Sequence, residues 1–127
     1  MSRSNLRTVT LITGLVTALV HLVVLNIDII QEEGQPDVLF TLNGLGYLAL
    51  LAAFQFRPGI VRRQSELLHY VFIGYTGATI GAWVLFGSRD FTGWATKLDE
   101  LILIYALLAY LRAEQAASGS ASRAPGP

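Results

Sequence analysis

Four long reaches of this chain carry no acidic or basic residue. TVTLITGLVTALVHLVVLNI (8–27), VLFTLNGLGYLALLAAFQF (38–56) and LLHYVFIGYTGATIGAWVLFG (67–87) are each near membrane length. A spanning helix needs about 20 apolar residues, because each adds about 1.5 Å across a hydrocarbon core of about 30 Å. The fourth reach, LILIYALLAYL, is too short by itself, so its helix must run back through Lys97 to about Trp94 and occupy 94–112. Helices of a soluble bundle keep a polar face, whereas these runs are apolar all round. The pattern therefore predicts an all-α polytopic membrane protein, an up-and-down bundle of four transmembrane helices. The short links DIIQEEGQPD and RPGIVRRQSE suit antiparallel neighbours.

The flanks follow from the same pattern. Residues 1–7 form a short N-terminal segment, and AEQAASGSASRAPGP (113–127) has no apolar face to bury, so its composition predicts a disordered tail. MSRSNLR with the first apolar run could serve as a signal peptide. That run exceeds the usual h-region of about 7–15 residues and no A-x-A site follows it, so an uncleaved first span is expected.

Charge sets the orientation. Arg3, Arg7, Arg57, Arg62, Arg63, Arg112 and Arg123 fall at the two termini and the second link, against Arg89 and Lys97 near the third. This distribution places both termini in the cytoplasm, in a multi-pass protein of the cell (inner) membrane. The other side is acidic, with Asp28, Glu32, Glu33, Asp37, Asp90, Asp99 and Glu100. Nine basic and nine acidic residues cancel, which removes any bulk field for nucleic acid. The absence of cysteine excludes disulfides, thiolate metal sites and thiol chemistry, and with two histidines no metal site is expected.

Small residues mark the expected contact faces. Gly14 and Ala18 share a face of the first span, and Gly74, Gly77, Ala78, Gly81 and Ala82 form a broad one on the third. Spans associate in lipid by such close packing, so these are the expected helix-packing residues. His21 continues the Gly14–Ala18 face inward. It lies about 9 Å below the outer edge, at a depth shared by Asn43 and Glu100. Lys97 and Glu100 are i, i+3 neighbours able to pair. Together with Tyr75 and Thr79, these residues form a candidate intramembrane polar cluster, and Asp99 is expected to face the outer interface. Three readings of the cluster stay open: a structural pair that sets helix register, an outward-facing proton or ligand site, and a later start of the fourth helix that leaves these residues in solvent. His69 sits at the opposite end of the third span, about 17 Å from His21 along the bundle axis, so the two cannot ligate one haem and no cofactor is expected. The aromatics Trp83, Phe86, Phe91 and Trp94 read as an outer interfacial belt.

HL at 21–22, LNGLGYLALL at 42–51, IGYT at 73–76 before W-x-x-F-G, and K-x-x-E at 97–100 give a recognisable layout. It resembles that of small uncharacterised prokaryotic four-helix membrane proteins, and its hydropathy is similar to that of DoxX-like proteins, some of which accompany redox complexes. The resemblance implies no catalytic residue. P-loop, Rossmann, H-E-x-x-H and G-x-S-x-G signatures are absent, so no enzyme is expected. The functional expectation is a non-enzymatic accessory or structural membrane component whose partner is the bilayer. A homo-oligomer or larger membrane complex stays open. The alternatives are an oligomeric transporter or channel using His21 and Glu100, and a redox-linked DoxX-like accessory subunit.

Overall fold

The computed structural model describes residues 1–57, 59 and 63–122, and every regular element within them is helical. Arg62 and Arg123, both used in the orientation argument, lie outside the described residues, as does the end of the tail, 123–127. Four helices make the architecture: α1 (Arg3–Glu33), α2 (Val38–Phe56), α3 (Ser65–Phe86) and α4 (Phe91–Ser122). The first three are long and apolar enough to cross a membrane. In α4, Lys97, Asp99 and Glu100 interrupt the apolar run from one side and Arg112 and Glu114 from the other.

The helix ends have local causes. Ser2 caps α1 by accepting from the Asn5 amide at 3.1 Å. Gly34 ends that helix at φ 75°, the left-handed conformation a glycine adopts without penalty. Asp37 then caps α2 through the Phe40 amide at 2.8 Å. Two expected boundaries are corrected. The first helix runs well beyond 8–27, because polar residues at either end of a span can stay helical in water. The fourth helix continues through Ser122, so the segment from 113 to 122 is not the disordered stretch that composition suggested. Ala113, Glu114, Gln115, Ala116 and Ala117 are strong helix formers, and Glu114 is tied to two other helices.

Cross-helix contacts show consecutive helices running antiparallel. Arg7 near the start of α1 donates to Gln55 Oε1 near the end of α2 at 3.0 Å. Trp83 packs edge-on against Trp94 at 4.8 Å where α3 turns into α4, and at the other end Ser65 donates to Glu114 at 3.0 Å. Helix α1 lies along both α2 and α4, and α3 rests mainly on α4. The core is Tyr47, Leu51, Phe54, Phe72, Leu103 and Leu107 with Leu6, Ala18, Leu68 and Tyr110. Thr10, Thr13 and Thr76 bury their hydroxyls by donating to carbonyls of their own helix, at 3.0, 2.8 and 3.0 Å.

Close backbone approach occurs on α1 and α2 rather than on α3. A Cβ on Gly44 would lie 2.5 Å from Leu22 Cγ and 3.0 Å from the Ala18 carbonyl oxygen, and one on Gly14 would lie 2.6 Å from Leu51 Cδ2. Ala18 is wholly buried. The broad small face of α3 is a correction: Gly74, Gly77 and Gly81 have open space where a Cβ would stand, and Ala78 and Ala82 are exposed. Its opposite face, bearing Phe72, Thr76 and Thr79, meets the bundle, because the polar groups there have partners only inside. Gly77→Leu should accordingly leave thermal stability in detergent within about 0.5 kcal/mol of the parent. Gly44→Val, which drives a branched side chain into α1, should lower it by about 1–3 kcal/mol; equal melting temperatures for the two variants would contradict this packing.

Candidate functional site

Helix α1 changes pitch where the polar cluster begins. Val20–Val24 forms a π turn, in which residues five apart come into line. His21 and Asn26, five apart, are both buried as a result. Asn26 Nδ2 donates to the His21 and Leu22 carbonyls at 3.0 and 3.1 Å, satisfying groups that the wider turn frees. Its Oδ1 accepts the Asp37 amide at 2.7 Å, so one side chain fixes both the π turn and the α1–α2 connection.

Glu100 is the centre of the site and has no exposed surface. Its Oε2 accepts from Lys97 Nζ at 2.5 Å, and its Oε1 accepts from Tyr47 Oη and Thr79 Oγ1, both at 3.1 Å. Tyr47 and Thr79 also touch each other through their hydroxyls at 2.9 Å. His21 Nδ1 lies 2.9 Å from the Thr17 carbonyl, and a carbonyl can only accept, so Nδ1 carries a proton and Nε2 is the nitrogen left to titrate. That Nε2 stands 4.0 Å from Glu100 Oε1, too far for a direct hydrogen bond. Every helix thus supplies a group to one carboxylate or to its margin.

The sequence-predicted cluster is placed unevenly. His21, Thr79, Lys97 and Glu100 come together, whereas Asn43 takes part only through its main-chain carbonyl, which accepts from Tyr75 Oη at 2.8 Å. Tyr75 stands edge-on to Tyr47 at 5.1 Å and does not hydrogen-bond Glu100. Sequence reasoning puts Tyr47 on the face of Asn43 and Gly46 but not in the cluster; its signal is a phenol in an apolar span one turn after Asn43. Asp99 does not face the outer interface: its Oδ2 accepts from Thr17 Oγ1 of α1 at 2.7 Å, half-buried. The cluster lies well inside the helices that form it. Tyr47 is the middle residue of α2, which has 19 residues, and Glu100 is nine residues into α4, about 13 Å from its start. A charge facing lipid at that depth costs about 2.5–3.5 kcal/mol even on permissive scales.

A second cluster, unforeseen from sequence, closes the other end of the bundle. Glu114 accepts from Arg57 Nη1 at 2.8 Å and Ser65 Oγ at 3.0 Å, with Arg3 3.6 Å away. Arg57 also covers the rings of Phe54 and Tyr110 at 5.6 and 5.4 Å. His69 stacks on Tyr110 at 5.6 Å and donates from Nδ1 to the Ser65 carbonyl at 2.7 Å, while its buried Nε2 has no hydrogen-bond partner among the described residues. A cavity of about 700 Å³ opens beside Arg3, Arg57, Ser65 and Glu114. The cue available in sequence was an acid just past the fourth span, on the side where the arginines gather. Burial pushes the Glu114 carboxyl up, yet its hydrogen bonds from Arg57 and Ser65 outweigh this and hold it below its ordinary value. At the other end, the Gly93 amide and the Ser88 hydroxyl on Asp90 hold that carboxyl low where it leads into α4.

Two measurements check these clusters. Removing one partner of a buried pair leaves an uncompensated charge, so Lys97→Met and Glu100→Gln should each destabilise the protein by about 3 kcal/mol or more. The double variant should recover part of that loss, and strict additivity in thermal melts would mean the two are not coupled. A carboxyl held low when folded stabilises above its unfolded-state value and loses that contribution as pH falls through its folded value. Melting temperature should therefore drop on acidification through the carboxylate range, and Glu114→Gln should be about 1 kcal/mol weaker near neutrality with a shallower acid limb. An unchanged acid limb in that variant would contradict the assignment.

The comparisons with known proteins come to one result. A family model described as a family of unknown function, DUF7475, matches residues 1–111, and the chain belongs to that family. No curated protein matches significantly. No solved structure does either. The likeness to DoxX-like proteins in hydropathy gains no support from these comparisons.

Proposed function

We propose that this DUF7475 protein is a non-enzymatic component of the cell (inner) membrane, crossing it four times with both termini in the cytoplasm. The single observation that carries this reading is the layer between the two clusters. Leu51, Phe54, Phe72, Leu103 and Leu107 are all buried there. Glu100 and Glu114 are fourteen residues apart on α4, about 21 Å, and from Leu101 to Leu111 that helix carries only apolar side chains and Tyr, with Arg112 beside the Glu114 end. The polar groups within that layer, Thr10, Thr13 and Thr76, are buried and donate to their own helix backbone, so among the described residues no charged side chain offers a substrate or hydrated ion a step across it. Supporting it, Glu100 already receives hydrogen bonds from three side chains, which suits a group that sets helix register rather than one that waits for a ligand.

Four spans are read here although three helices meet the length and apolarity of a span unaided. Helix α4 crosses because its Lys97 and Glu100 neutralise each other inside the bundle. The outward small face of α3 suits lateral association with another helix, as expected of an accessory component or an oligomer. The competing reading is an oligomeric transporter or channel in which His21 and Glu100 line the path.

Purified protein in sealed liposomes containing a pH-sensitive dye separates the two. The structural reading expects proton leak equal to that of empty liposomes under an imposed pH gradient and potential. Leak above that baseline, abolished by Glu100→Gln, would establish the transport reading instead. Reporter fusions at Gly34 and Ser88 should be external, and one after Arg112 should be cytoplasmic.

A further inference from the structure

The charges at mid-depth do not balance. On α4, Lys97 is one cation against two carboxylates, Glu100 and Asp99. No other element repairs this: α1 has no charged residue between Arg7 and Asp28, α2 none between Asp37 and Arg57, and α3 none between Glu66 and Arg89. The remaining titratable groups facing the site are His21 from α1, Tyr47 from α2 and Tyr75 from α3. With His21 neutral and both acids ionised, the cluster bears one uncompensated negative charge in an apolar surround, an arrangement that proteins avoid by taking up a proton or a counter-ion.

We propose that the mid-depth cluster is a single-proton site, and that the proton resides on Asp99. Three placements compete, and geometry separates them. Glu100 is fully buried and its two oxygens already accept from Lys97, Tyr47 and Thr79, so it has no free partner for a carboxyl proton of its own. A proton on His21 Nε2 would balance the sum, yet it would leave Asp99 ionised on the side of α4 that is half open to lipid. A proton on Asp99 removes the exposed charge itself. The resulting acid keeps its 2.7 Å contact with Thr17 Oγ1, since a hydroxyl can accept as readily as it donates. Thr17 also accepts from His21 Nδ1 through its carbonyl, so proton occupancy at Asp99 is felt by both α1 and α4.

The inference rests on the spanning reading above, and its test reads Asp99 directly, independently of any flux. Infrared spectra of the protein in phosphatidylcholine nanodiscs at neutral pH should contain a protonated-carboxyl C=O band that disappears on raising the pH. Charge balance predicts its response. The band should be lost in Asp99→Asn. It should also be lost in Glu100→Gln, where Lys97 alone balances Asp99, and it should grow in Lys97→Met, which leaves two carboxylates unbalanced. Asp99→Asn restores charge balance wherever the proton sits, so Thr17→Val, which removes the hydroxyl beside Asp99, discriminates: a band that keeps its frequency there, or that survives Asp99→Asn, would place the proton on Glu100 and overturn the assignment. Absence of any band in the parent would overturn it too, and a band that appears only when sodium is replaced by choline would identify a metal cation as the occupant instead. Should Asp99→Asn fail to fold, Thr17→Val decides: a shifted band supports the site, and an unshifted band, or an imidazolium His21 in nitrogen-15 spectra of the parent, overturns it.

Discussion

A carboxylate at the middle of an apolar bundle has to take all its hydrogen bonds from protein, and much of this molecule is arranged around that requirement. Glu100 draws Lys97 from its own helix, Tyr47 from the centre of α2 and Thr79 from α3. Its partners fix the rotation of each helix about its axis, because each must present one polar position inward at one depth. Apolar packing alone is weakly directional in lipid, where tails are as apolar as the side chains they replace. The polar cluster supplies the direction.

Helix α1 meets the requirement by a different route. Its π turn brings His21 and Asn26 to the interior together, and Asn26 satisfies the carbonyls the turn releases. The same side chain receives the Asp37 amide, so the change of pitch is linked to the start of α2. At the far end, Glu114 performs for Arg57 and Ser65 what Lys97 performs for Glu100, joining α2, α3 and α4 beyond the apolar layer. Two polar ties separated by an apolar layer make a bundle that is pinned at two levels and closed between them.

Legibility differed by the range of the interaction. The four helices could be read because absence of charge over membrane length is a property of consecutive residues. Lys97 with Glu100 could be read for the same reason, being neighbours on one turn. Asp99 was misplaced because its partner Thr17 is 82 positions away, beyond the reach of any local spacing. The small face of α3 meets no helix of this chain: glycine spacing shows that close approach is feasible without showing which helix arrives. Tyr47 shares the face of Asn43, and spacing alone favours the amide over the phenol as the cluster member, since it does not give the direction of either side chain.

What the amino-acid sequence by itself determined is the class of molecule: apolar helices of spanning length, an asymmetry of arginine between their ends, and one charged pair displaced into a span. These depend on composition and local spacing, which survive any arrangement of the helices. Only the tertiary structure decided which faces meet, how deep the charged pair lies, and that Glu114 belongs to the bundle rather than to a loose tail. It also decided that α1 changes pitch at His21, a shift that offsets every later position from the ordinary helical period. The physical reason is that hydrogen bonds between helices depend on rotation and register, and both are set collectively by contacts far apart in the chain.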